Sequence, residues 1–147
     1  MAEVTVQRPT IPAMNEEAID KVRRLTAEMA ELPQVPIRTD HVLHAGLYAR
    51  TVFVPAGVVI TGVLIKIPTL LIVHGDALVY VGGEPMRLAG YNVVPAAAGR
   101  RQAFIAESDL HLTMLFASDA TSVDQAERQF TDEFEQLVSR KEPTCQA

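Results

Sequence analysis

The sequence predicts a mainly β fold, an antiparallel β-sandwich or barrel flanked by a helix on each side. Three observations carry this. Between residues 41 and 118 apolar residues recur with period two, in short runs rich in Val, Ile, Leu and Thr. Gly and Pro separate the runs at Pro55-Ala56-Gly57, His74-Gly75-Asp76, Gly82-Gly83, Ala89-Gly90 and Ala98-Gly99. On either side of this region the apolar spacing changes to three and four, the period of a helix.

Taken in order, residues 1–14 read as an extended arm, since Pro9 and Pro12 bias the chain away from helix. A helix is predicted over 15–32. Asn15 is its N-cap, Glu16 and Glu17 suit its dipole, and Ile19, Val22, Leu25 and Met29 form its apolar stripe before Pro33 stops it. The β domain spans 40–118, with strands expected at 47–54, 58–66, 69–73, 77–81, 86–88, 91–94, 101–106 and 110–116. Both parities of 58–66 are apolar, so cover is expected on both of its faces. A second helix is predicted over 121–141, opened by Ser122 and Gln125 at capping-box spacing and ended by Pro143.

Composition limits the function. The 147 residues carry a formal charge of −5 and a pI near 5.3, which argues against a phosphate-binding face and a nucleic-acid partner. There is no Trp and aromatics are 5% of the chain, too few for stacking platforms. Cys145, the single cysteine, has no intramolecular partner. The N-terminus lacks a basic stretch followed by an apolar one, and Lys66, Pro68 and His74 interrupt the best apolar run. No secretory signal and no membrane partner are therefore expected, and synthesis in a bacterial cytoplasm is.

Several polar groups are candidates for chemistry. His41 and His44 have an H-x-x-H spacing, but no Cys or acidic residue follows at a metal-ligand interval. His74 stands beside Asp76 at a turn and reads as a turn histidine. Ser108, Asp109 and His111 are too close in sequence to converge as a triad, and there is no G-x-S-x-G. Arg100 and Arg101, after Gly99, can fork onto a carboxylate, and strand alternation offers one of them to each face. These two arginines, with Ile19, Val22, Leu25 and Met29, are the expected contacts to a partner protein. No catalytic residue is assigned.

The run HAGLYARTVFVPAGVVITG…HGDALVYVGGE…YNVVPAAAGRRQAF, over about 40–118, resembles the cupin jelly roll. More narrowly, it is similar to small cupin-like proteins encoded by tailed bacteriophages. Cupins hold a metal with two His and a Glu from a first motif and a His from a second. Counted from Gly57 and Gly99, those four slots fall at Val63, Ile65, Thr69 (or Leu70) and Gln102, and none carries a ligand. Hydrocarbon cannot coordinate a divalent ion. The resemblance therefore implies a metal-free jelly roll that needs no cofactor and whose mouth is an apolar plug or a small greasy pocket.

The expected function is that of a non-catalytic structural or interaction protein that self-associates as a dimer or higher homo-oligomer. The phage resemblance implies incorporation into a virion, as a capsid decoration or cement subunit or a tail-associated one, with the arm reaching other phage structural proteins. The alternative is a cupin-type small-molecule-binding protein or enzyme, with its pocket between the central strands.

Overall fold

A computed structural model describes residues 8–141. Residues 1–7 of the arm, the Pro143 stop and Cys145 lie outside the described residues. Nine strands form two antiparallel sheets. They are β1 (Arg38–His44), β2 (Leu47–Val54), β3 (Val59–Thr61), β4 (Thr69–His74), β5 (Ala77–Tyr80), β6 (Met86–Leu88), β7 (Tyr91–Ala96), β8 (Ala103–Ala106) and β9 (Leu110–Ala117). The larger sheet has the order β1-β2-β9-β4-β7 and the smaller β3-β8-β5-β6. This is a jelly-roll sandwich, the mainly β class predicted.

Strand alternation builds the core. Inward residues of the larger sheet, Val54, Val73, Val94 and Leu110 among them, meet Val79, Phe104 and Leu88 of the smaller one. Each such side chain contributes roughly 1.5–3 kcal/mol by leaving water.

The first helix, α1 (Glu16–Met29), is capped by Asn15, whose side chain accepts from Ala18 N at 2.8 Å. The first half of its stripe packs on the chain's own body: Met14, Ala18 and Val22, with Ile19, lie against Tyr80 and Val81 at the end of β5, while Leu25 and Met29 stay half-buried. The arm is likewise used internally. Ile11 adds to the edge of β7 as a parallel bridge to Ala96, donating to Pro95 O at 2.9 Å and accepting from Ala97 N at 2.8 Å.

Three sequence expectations change. First, 38–44 is a strand where none is expected. Second, the long strand over 58–66 shrinks to β3 plus a single bridge at Ile65, because other segments take its backbone donors. Gly62 N donates to Gln102 O, Leu64 N to the Glu133 carboxylate and Lys66 N to Phe130 O.

Third, the helix over 121–141 breaks. The second helix, α2 (Val123–Phe130), ends at Thr131, which is extended (φ −151°, ψ 148°). A 3-10 turn (Phe134–Gln136) follows, and then α3 (Val138–Lys141). The break lets residues 130–137 cross the loop between β3 and β4.

Buried charge fastens this crossing segment. Glu127 of α2 accepts from Arg50 of β2 (3.3 Å), from Ser139 Oγ (2.6 Å) and from Arg140 Nε (2.8 Å). Glu133 accepts from Arg101 Nη1 and from Leu64 N, each at 2.8 Å.

Glu127→Gln should destabilise the protein by about 3 kcal/mol in urea denaturation, because Arg50 is then buried without its counter-charge. Arg50→Met should cost less, since Arg140 and Ser139 still hold Glu127; equal losses would refute the sharing of Glu127. Gly75 (φ +126°) offers an independent check, since a Cβ there would lie 2.5 Å from Asp109 O. Gly75→Ala should cost about 3 kcal/mol and Gly90→Ala, with φ +73° and open space around it, only about 1 kcal/mol in the same measurement.

Candidate ligand-binding site

Of the two alternatives, plug or pocket, the fold has the pocket. Between the sheets lies a cavity of about 110 Å³. Its walls are hydrocarbon from both sheets, including Val63, Ile65, Phe104 and Leu112, and Phe130 and Leu137 of the crossing segment close one side. Four polar side chains reach the same space: Arg50, Thr61, Gln102 and Gln136.

Each arrives for a local reason. Arg50 lies on the inward parity of β2, in line with Tyr48, Val52 and Val54. Thr61 ends β3, and its hydroxyl is held by Thr26 of α1 at 2.8 Å. Gln102 precedes β8, beside the close approach of Gly62 to its carbonyl (3.0 Å). Gln136 sits on the 3-10 turn that follows the helix break.

Gln102 is the unusual member. It is 8% exposed, and its side-chain oxygen is buried with no hydrogen-bond partner among the described residues. A buried amide oxygen left unpaired costs about 1–3 kcal/mol. Among the described residues Arg50 is the only charged one lining the cavity; its partner Glu127 also binds Arg140, which in turn pairs with Asp124. Next to Arg50, burial raises the Tyr48 phenol above its ordinary pKa while the guanidinium opposes the shift, so the hydroxyl stays protonated. Its oxygen is 2.7 Å from His41 Nδ1.

Of the four counted cupin slots, Val63, Ile65 and Gln102 all line the cavity, and Thr69 does not. The Thr69 hydroxyl instead accepts from Arg100 Nη2 at 2.6 Å. These residues do not fit a divalent metal. Two are hydrocarbon, one offers a single neutral oxygen, and the fourth faces a cation. No group of three or more His, Cys, Asp or Glu that could hold a metal occurs among the described residues.

The arginines expected at a partner surface are internal. Arg100 is 0% and Arg101 2% exposed. Arg100 bends inward at the bridge to Ile65 and lies against Thr69, Ala97 O and the Met114 sulfur, with no carboxylate partner among the described residues. Burial pushes its pKa down to about 10, which leaves it charged at neutral pH. Arg101 pairs with Glu133, and its backbone N–H meets the Met14 sulfur at 3.2 Å. Strand alternation fails for this pair because the arm and the crossing segment cover what would otherwise be the outer face.

The histidine candidates do not form a site here. His41 and His44 are three apart on β1 and so point to opposite faces. Ser108 and Asp109 cap turns, accepting from Asp76 N and Ala56 N. His74 and His111 lie on the outside of the larger sheet with ring centroids 5.8 Å apart, away from the cavity. The sequence reading missed Arg50 and Glu127. Both carried a signal, a charge placed on an otherwise apolar inward parity or helix stripe.

No family model matches the sequence and no curated protein matches it. Solved structures do resemble the fold. Ectoine synthase from P. lautus aligns with a TM-score of 0.50 at 14% identity, over 67% of this chain and 76% of its own. A cupin superfamily protein from Desulfitobacterium hafniense aligns at 0.49 and 14%, over 63% and 87%. KdgF from Halomonas sp. aligns at 0.48 and 23%, over 59% and 84%. The structural neighbours are thus cupin superfamily proteins, and at these identities the likeness carries the fold alone.

The expected inert virion subunit is corrected on these findings. An enzyme shares the fold, and Val63, Ile65 and Gln102 line a cavity. The exclusion of catalysis does not stand, and no comparison connects the chain with a phage.

Proposed function

We propose that this chain is a small-molecule-binding protein or enzyme of the cupin type, with the intersheet cavity as its site. One observation carries the reading. A cavity with apolar walls is lined by Arg50 and by Gln102, whose buried side-chain oxygen has no partner among the described residues. Ligand pockets combine mostly apolar walls with a few polar groups that fix orientation.

The lining also indicates what fits. A dry cavity of roughly 150 Å³ holds benzene, so 110 Å³ suits a smaller body. A short-chain monocarboxylic acid matches the space, placing its alkyl part against Val63, Ile65 and Phe104 and its carboxylate toward Arg50. The terminal amide of Gln102 turns to present either its N–H or its oxygen, so it can serve the ionised or the protonated acid.

Ligand-detected NMR with acetate, propionate, propionamide and propanol tests this. The acids should bind more tightly than propanol. Gln102→Leu should weaken binding by about tenfold, the value of one buried polar contact, and Ile60→Phe, which fills the cavity, should abolish it. Binding that survives Ile60→Phe unchanged, or no binding by any of the four, would refute the cavity as the site.

A further inference from the structure

The outer face of the larger sheet carries two histidines whose ring nitrogens the fold leaves free. His74 of β4 and His111 of β9 stand directly opposite each other in the strand register, which sets their Cβ atoms about 4.5–5.5 Å apart. Both are exposed, and neither imidazole makes a hydrogen bond or an ion pair among the described residues. Their only contacts are with other rings. The two imidazoles meet at 5.8 Å between centroids, with their planes at 77°. Phe53 of β2, opposite His111, touches it edge-on at 4.9 Å, and Tyr91 of β7, opposite His74, touches it at 5.7 Å. These two aromatic rings close both ends of the row. The imidazoles can therefore turn toward each other but cannot swing apart along it.

The geometry points to a binding site for a late first-row divalent metal, copper(II) most tightly, held by one ring nitrogen of His74 and one of His111. The spacing fits. An ion about 2.0–2.1 Å from an imidazole nitrogen lies roughly 3.2 Å from the ring centre, so two rings sharing it have centres roughly 4.5 to 6.4 Å apart, according to the angle at the metal. The observed 5.8 Å falls in that range. Aiming the nitrogens needs only a turn about the last side-chain torsion, which is soft for histidine. With the backbone in register and the flanking rings in place, little order remains to be imposed on binding.

The donor set selects the metal. Imidazole suits nickel, copper and zinc, and affinity at a given nitrogen site peaks at copper(II). Two nitrogens on one side of the ion leave its other positions to water, which the tetragonal geometry of copper(II) and nickel(II) accepts. Zinc favours three or four protein ligands and binds such a pair less tightly than copper. No outward residue of β2, β9, β4 or β7 is Asp or Glu, so magnesium and calcium, which need oxygen ligands, find none on these strands. The site is separate from the cavity. The counted cupin slots lie inside the sandwich, whereas this pair faces solvent on the far side of the larger sheet, and it does not depend on occupancy of the cavity.

Isothermal titration of the full chain with copper(II), nickel(II) and magnesium chlorides at neutral pH tests the inference. Nickel and copper should each bind saturably at one ion per chain, copper more tightly, and magnesium should not bind. His74→Gln and His111→Gln, both at exposed positions, should each weaken nickel binding by at least about tenfold, the least that loss of a ligand costs, with unchanged circular dichroism. His44→Gln and Cys145→Ser, which remove another exposed imidazole and the thiol, should leave it unchanged. Absence of saturable nickel binding would overturn the inference. So would binding unmoved by both His74→Gln and His111→Gln, or binding lost in His44→Gln or Cys145→Ser.

Discussion

Two carboxylates, one buried and one half-buried, hold the far end of the chain across the sandwich, and the cavity depends on them. Glu127 is shared by Arg50, Ser139 and Arg140, and Glu133 by Arg101 and the backbone of Leu64. Together they draw residues 130–137 over the short strand β3. Phe130, Gln136 and Leu137 thereby become walls of the cavity. The same carboxylates balance two of the arginines that the fold takes out of water. A charge so deep in a protein persists only with a partner or several hydrogen bonds. Arg100 shows the second solution, being held by a carbonyl and a hydroxyl instead of an acid.

The metal slots of the cupin pattern illustrate how position and chemistry separate. Backbone geometry brings Val63, Ile65 and Gln102 to one space, as it would bring imidazoles. Hydrocarbon there replaces coordination by transfer free energy and shape. What remains to orient the proposed guest is one guanidinium and two amides, since the Thr61 hydroxyl is held by Thr26 of α1. That set favours an oxygen-bearing head group on an apolar body. It argues for a site whose selectivity rests on the fit of the body, with the head group setting its direction.

Much of the fold was legible because period two is a direct record of which side chains face inward. The strands of the sandwich, the Asn15 cap and the Ser122 cap all follow from local pattern. What was hidden has a physical reason in each case. Strand β1 reads RTDHVLH because an edge strand exposes one side and carries charge there, so no apolar alternation shows. The break at Thr131 has no Gly or Pro to announce it; tertiary hydrogen bonds from Lys66 and within the Glu133 turn impose it. The burial of Arg100 and Arg101 depends on segments distant in sequence. The cavity was the least legible feature, since a list of Val and Ile does not say whether their side chains meet or leave a gap.

The position of β9 has a consequence for how the chain reaches this fold. It is the middle strand of the larger sheet, paired with β2 on one side and β4 on the other, yet it is the last of the described strands to be made. Until residue 117 has emerged, the halves of that sheet have nothing to join them, and an apolar surface waits open at both of their edges. Closure needs contacts between residues more than sixty positions apart, such as Leu47 with Ala117, and such distant pairings slow folding. Assembly of the nascent chain is therefore a late, nearly all-or-none event, and truncations short of β9 should be handled by chaperones as unfinished protein.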